Sequence, residues 1–263
     1  MKPCISRLIA WAVIAAVAGL SAPAEAAVVA YWDFQDDPLA DKSGNSHDLT
    51  NSGVTFSDGA AVFNGAHTTF STTNTLDLTP YDELTVEWFM KTSHTADVRL
   101  VWEHTDNLNG KRGAIGSAIN GQQQAGTTEG NLEGGGNSIA RAAFVNDGAF
   151  HHYAVVFDRT TTGGGTAAEA AELFIDGFSA AVGQQIAGTY TDPTSFRNDY
   201  FYIGSRNDAS YKFVGQMDDV RISSEALLPS QFIQTRSVPE PSSLLVFGLG
   251  FLGLFGCRRR RVG

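Results

Sequence analysis

Two carboxylates and two histidines are the first residues of this chain to weigh for chemistry. Glu87, in LTVEWFMK (84–91), and Glu103, in VRLVWEH (98–104), stand on the polar sides of two alternating runs. Two carboxylates about 5 Å apart on one face would serve glycosidic-bond cleavage as acid and nucleophile. Lys91 and Arg99 share those sides, and cross-strand ion pairs account for the four charges more simply. His151 and His152 are neighbours, and neighbouring strand residues point to opposite faces. The two rings therefore cannot grip one ion without a bulge. His152 is expected on the sheet surface and His151 in the core. No Ser-His-Asp arrangement, phosphate-binding glycine loop or His-x-x-x-His spacing is readable. The two cysteines, Cys4 and Cys257, lie near the two ends, which excludes a catalytic thiol or a thiolate-held metal in between.

The elements that must position these residues are strands. LTVEWFMK places Leu84, Val86, Trp88 and Met90 on one side and Thr85, Glu87, Phe89 and Lys91 on the other. That two-residue period predicts a half-buried strand. HHYAVVFDR (151–159) is apolar on both sides, as a strand near a sheet centre should be. Further strands are predicted at 28–34, 60–64, 68–71, 138–145, 171–176, 200–204 and 213–222. Asp176-Gly177 between apolar runs predicts a two-residue hairpin turn. The stretches 120–137 and 160–169 read as long Gly-rich loops. Asp41, Ser43, Gly44 and Asn45 read as a turn, because short polar side chains bond nearby amides and Gly accepts positive φ. Many short strands with turns between them predict an all-β chain folded as one antiparallel β-sandwich.

Both ends read as processing segments. Lys2 and Arg7 precede the 13-residue apolar run LIAWAVIAAVAGL and the small-x-small site Ala24-Glu25-Ala26. Such a run is short for a bilayer span, so residues 1–26 are expected to be a cleaved secretory signal peptide. Six of the 18 basic and two of the 28 acidic residues lie in the two ends, so residues 27–237 carry a net charge of −14. A surface that acidic repels nucleic acid and favours divalent cations.

Six segments resemble laminin-G-like domains of the concanavalin A-like jelly-roll type, in that family's order. They are YWDF with DKSGNSHDLT, LTVEWFMK, FHHYAVVFD, ELFIDG, YIGSRND and GQMDDVRISSEALLPSQ. Phe150 departs from the family's usual tryptophan, and the loop at 120–137 is enlarged. The resemblance implies a jelly roll over 27–237 whose first and last strands lie side by side. That would bring Asp33 and Asp218 together at the rim, where related folds carry a structural calcium ion. It also raises the laminarinase-type glycoside hydrolases, whose E-x-D-x-x-E strand is absent here.

The last 26 residues, VPEPSSLLVFGLGFLGLFGCRRRRVG, resemble the PEP-CTERM sorting signal of Gram-negative bacteria. Pro239, Glu240 and Pro241 head the segment, Leu244 to Cys257 form a short apolar transmembrane sorting helix, and Arg258, Arg259, Arg260 and Arg261 form the basic stop. The prolines disfavour helix at the residue before each. The resemblance implies transient anchoring through that helix, recognition by an exosortase, tail removal near the Pro-Glu-Pro, and release at the cell surface. It also implies a setting in extracellular polysaccharide or biofilm. The expected function is thus a non-enzymatic exported protein associated with carbohydrate. An architectural or adhesive module without a small ligand is the alternative, and a glycoside hydrolase is the remoter one.

Overall fold

The computed structural model describes residues 26–66, 69–94, 97–105, 115–119, 123–127, 139–142, 147–160, 171–182, 195–206 and 210–234. The signal-peptide run, the Gly-rich stretches at 128–138 and 161–170, and all seven sorting residues (Pro239, Glu240, Pro241, Arg258, Arg259, Arg260 and Arg261) lie outside them. In chain order the strands are β1 (Val28–Trp32), β2 (Leu49–Ser52), β3 (Thr55–Ser57), β4 (Ala60–Asn64), β5 (Thr69–Thr72), β6 (Leu76–Asp77), β7 (Glu83–Lys91) and β8 (Arg99–Thr105). They continue with β9 (Ile115–Ile119), β10 (Gln123–Thr127), β11 (Ile139–Ala142), β12 (His151–Asp158), β13 (Ala171–Ile175), β14 (Phe178–Val182), β15 (Asn198–Ile203) and β16 (Val214–Ser223). A 3-10 turn follows at Pro229–Gln231.

Among the described residues these strands form two antiparallel sheets packed face to face. The first runs β14-β13-β12-β7-β16-β4-β3, with β1 also paired to β16; the second runs β11-β10-β9-β8-β15-β5-β2, with β6 paired to β15. The ten-residue β16 is the keystone of the first sheet. One edge pairs with β7, while the other takes β4 along its first half and β1 along its second. A bulge between Asp218 and Arg221 absorbs the change of partner. First and last strands therefore do lie side by side.

Aromatic side chains fill the space between the sheets. Trp88 of the first sheet meets Trp102 of the second edge to face, with ring centres 6.0 Å apart. Trp102 stacks on Phe201 at 5.4 Å, and Trp32 reaches across to Phe201 at 5.8 Å. All three tryptophans are buried. Apolar area of this size is what lets the fold stand without disulfides.

The Asp176-Gly177 turn closes the β13–β14 hairpin with both residues at positive φ, 51° and 79°, the geometry that matches strand twist. Two expectations need correction. Gln123–Thr127 is not loop: β10 pairs with both β9 and β11. Its Gln-rich sequence carries no apolar alternation, so backbone pairing with two neighbours decides its state. The second correction concerns β7, whose polar side is not open. Thr85, Glu87 and Phe89 are all buried, because residues 224–234 fold back as a strap over the outer face of the first sheet. Leu227 and Phe232 of the strap pack there on Ala154, Val156 and Phe174.

Candidate functional site

Under the strap lies a buried carboxylate with partners on three sides. Glu87 Oε2 accepts a hydrogen bond from the Ile233 backbone N–H at 2.8 Å and faces His152 Nε2 at 3.0 Å. Oε1 takes Arg221 Nε at 2.6 Å, with Arg221 Nη2 also in contact. Arg221 reaches on to the Gln231 carbonyl at 3.0 Å, and the Phe232 ring lies 5.5 Å from the His152 ring. Glu87 has no exposed surface. Every one of its partners is intramolecular, and three of them belong to or touch the strap. This is a clasp for the chain segment that leads toward the C-terminal tail, with no room for a substrate.

The sequence offered Glu87 and Glu103 as neighbours, and the fold separates them. β7 belongs to one sheet and β8 to the other, so the two carboxylates point out of opposite sides of the sandwich. The expected ion pairs with Lys91 and Arg99 are also absent. Glu103 meets Arg206 at 3.5 Å, Arg99 meets Asp97, and Lys91 stands over the Phe150 ring. Residues that share a sequence-read side share no neighbour until strand order is known.

His152 does face outward, as its register opposite Phe89 requires, but the strap buries it. His151 sits at the rim rather than in the core. Its Nδ1 is 2.7 Å from Asp176 and its Nε2 is 3.1 Å from Asp147. Partial burial opposes its protonation, but hydrogen bonds to Asp176 and Asp147 prevail and raise its pKa. Asp41 is the centre of a turn, as read. Its carboxylate accepts the N–H groups of Tyr31, Ser43 and His47 and the Ser43 hydroxyl. Burial works against its ionisation, yet these bonds hold its pKa below the ordinary value.

Asp33 follows β1 and Asp218 lies in β16, at the junction of first and last strands. The Asp33 carboxylate accepts the Gln35 N–H at 3.1 Å and lies 3.8 Å from Lys42 Nζ. Asp218 is fully buried and accepts the Asp219 N–H at 3.0 Å, while Asp219 receives the Tyr31 hydroxyl. These are the hard oxygen donors calcium takes. Side chains alone do not complete its shell: among the described residues no group of three or more His, Cys, Asp or Glu is arranged to hold a metal, so backbone carbonyls would have to supply the remaining oxygens. The Lys42 ammonium already balances one of the two carboxylates.

The outer face of the second sheet is different in character. Tyr200 and Tyr202 alternate with the core residues Phe201 and Ile203 and so point outward, their rings 6.4 Å apart. Register sets Tyr202 opposite Glu103 on one side and Ser71 on the other, with Thr50 beyond Ser71. Arg206 lies 5.0 Å over the ring of Tyr211. Phe89, on the polar side of LTVEWFMK, differs from Tyr202 and Tyr211 in its exposure. The structure buries Phe89, keeps Tyr202 and Tyr211 partly exposed, and adds Tyr200. Alternation with Phe201 was the signal that could have found Tyr200. Tyrosine faces flanked by the Ser71 and Thr50 hydroxyls can stack on a ring and exchange hydrogen bonds with its hydroxyl groups, while the Glu103 carboxylate beneath them is buried against Arg206.

Structures of known proteins share this architecture. Domain 4 of AbnA, an extracellular arabinanase of Geobacillus stearothermophilus solved with arabinotriose, aligns at 19% identity and a TM-score of 0.54, over 79% of this chain and 97% of that one. The ligand-binding domain of botulinum neurotoxin serotype D, solved with N-acetylneuraminic acid, aligns at 12% and 0.54 over 78% and 49%. Trypanosoma rangeli sialidase with sialic acid aligns at 11% and 0.53 over 78% and 32%. This chain thus spans about half of the neurotoxin domain and a third of the sialidase, and at these identities the likeness is one of fold. No curated protein matches the chain. A PEP-CTERM protein-sorting motif matches residues 237–261, which marks an exported surface protein. Residues 63–232, from β4 to the strap that clasps Glu87, match the laminin-G-type model, and the chain belongs to the concanavalin A-like lectin/glucanases superfamily.

Proposed function

We propose that this is a surface protein of a Gram-negative bacterium that associates with extracellular polysaccharide and does not cleave it. The observation that carries the reading is the pairing of a sorting motif at 237–261 with a lectin-type sandwich. What supports the ligand class is the outward row of Tyr202, Ser71 and Thr50, with Tyr200 beside it. What supports binding without turnover is the separation of Glu87 from Glu103 onto opposite sides of the sandwich. An N-terminal signal over 1–26 starts export, and an exosortase removes the tail near Pro239-Glu240-Pro241 after transient membrane anchoring. A calcium ion at Asp33 and Asp218 belongs to the same proposal, on ligand type and position alone.

A glycan array that includes the organism's own matrix polysaccharide tests the binding half. Selective signal that Tyr202→Ala weakens supports it; flat signal across all glycans overturns it in favour of an architectural or adhesive role. Release of reducing ends from any bound glycan would overturn the non-enzymatic half. Mass spectrometry of the exported protein tests processing: no peptide beyond the Pro-Glu-Pro is expected. Recovery of the four-arginine terminus from the cell surface would defeat that part.

A further inference from the structure

We propose a second glycan-binding row, selective for carboxylated sugars, on the outer face of the strap-bearing sheet; it rests on the polysaccharide reading above. Beyond the end of the strap, register sets Lys91 of β7 opposite Gln216 of β16, and Gln216 opposite Val62 of β4. Phe150, just before β12, lies on the other side of Lys91, whose Nζ is 5.3 Å from the ring centre. Four side chains from four neighbouring strands thus stand in line at the sheet's spacing of about 4.8 Å. A cavity of about 310 Å³ opens along the line, bordered by Ser93 and by Gly148 and Gly215, which have no side chains to fill it.

Charge picks out the ligand. In the acidic central region Lys42, Arg99, Arg159, Arg197, Arg206 and Arg221 each face a carboxylate, whereas Lys91 and Lys212 face none among the described residues. Among the described residues the Lys91 ammonium has only the Phe150 ring, and the side chains of Ser93 and Gln216 make no hydrogen bond. An ammonium against a ring face attracts a carboxylate as a point charge. The Gln216 amide and Ser93 hydroxyl can bond ring hydroxyls, and Phe150 offers an apolar face. A neutral sugar would leave the ammonium without a partner, whereas a uronate unit supplies one.

The test is calorimetric titration of the exported protein with oligogalacturonate and with its carboxyl-reduced, neutral form. The uronate is expected to bind about tenfold more tightly at low salt, the scale of one charge-assisted hydrogen bond, with the preference shrinking as salt screens it. Lys91→Gln should erase the preference at an unchanged melting temperature, Lys91→Arg should keep most of it, and Tyr202→Ala should leave it intact. Should Lys91→Gln fail to fold, Gln216→Ala and the salt dependence of the natural protein carry the test. Equal affinity for both oligomers, or a preference that survives Lys91→Gln, overturns the row. If the neutral form then still binds and Tyr202→Ala weakens it, polysaccharide association stands without this row. No binding of either oligomer or of the matrix polysaccharide removes both.

Discussion

Replacing Glu87 by Gln puts the strap to a quantitative test. The carboxylate is fully buried and accepts from His152, from two nitrogens of Arg221 and from the Ile233 N–H. Hydrogen bonds to a charged group contribute about 1.5–3 kcal/mol each, and removing one partner of a buried charge pair costs about 3–5 kcal/mol. Gln retains the shape and one acceptor, but its amide turns N–H groups toward donors and leaves the Arg221 charge without its counterion. Arg221 keeps about a fifth of its side-chain surface in water (21%), which places the expected loss near the lower figure, about 3 kcal/mol. That is a large share of a typical domain's total stability. Urea denaturation should show a lower midpoint at an unchanged slope. Amide exchange should show residues 224–234 opening before the sheets do. A double-mutant cycle with Phe232→Ala should show coupling, because Phe232 packs on His152. A Glu87→Gln variant within about 0.5 kcal/mol of the natural protein, the range of an ordinary surface substitution, would refute the claim that this carboxylate clasps the strap.

Three further outcomes follow from named groups. His104 is fully buried with Nε2 between the carbonyls of Leu76 and Asp199, and burial pushes its pKa down to about 4 from 6.5. The unfolded chain thus takes up a proton first, so stability should fall as pH drops from 6.5 toward 4, by about 3 kcal/mol from this group. The denaturation midpoints of His104→Gln should lack that part of the slope. Gly204→Ala combines a positive φ of 89° with a Cβ driven into the buried Phe63 ring, and should cost about 3 kcal/mol in denaturant unfolding. A chelator should lower the melting temperature if calcium binds at Asp33 and Asp218, since a ligand of the native state alone must raise it. An unchanged melt removes the ion.

Legibility in the sequence followed the pleat. LTVEWFMK announced its strand because Leu84, Val86, Trp88 and Met90 repeat every second residue, HHYAVVFDR because it is apolar on both sides, and the hairpin turn was written in Asp176-Gly177. β10 was not legible: Gln123–Thr127 has no apolar period, and its pairing with β9 and β11 is a backbone matter. The polar side of β7 misled for a related reason. Thr85, Glu87 and Phe89 read as a wetted face because alternation reports which residues share a side, and says nothing of what covers that side.

By itself the sequence determined that the chain folds as an all-β sandwich, carries a sorting motif at its end and holds an acidic, cysteine-free middle. Those properties are local or additive: periodicity, a contiguous motif and summed charge survive without knowing which strands are neighbours. Only tertiary structure decided that Glu87 and Glu103 part company, that Glu87, His152 and Arg221 form a strap's clasp, and that Tyr202 and Lys91 mark opposite outer faces. Those facts depend on strand order and on the return of residues 224–234 over the sheet, contacts between segments as far apart as Glu87 and Ile233, which no one-dimensional period encodes.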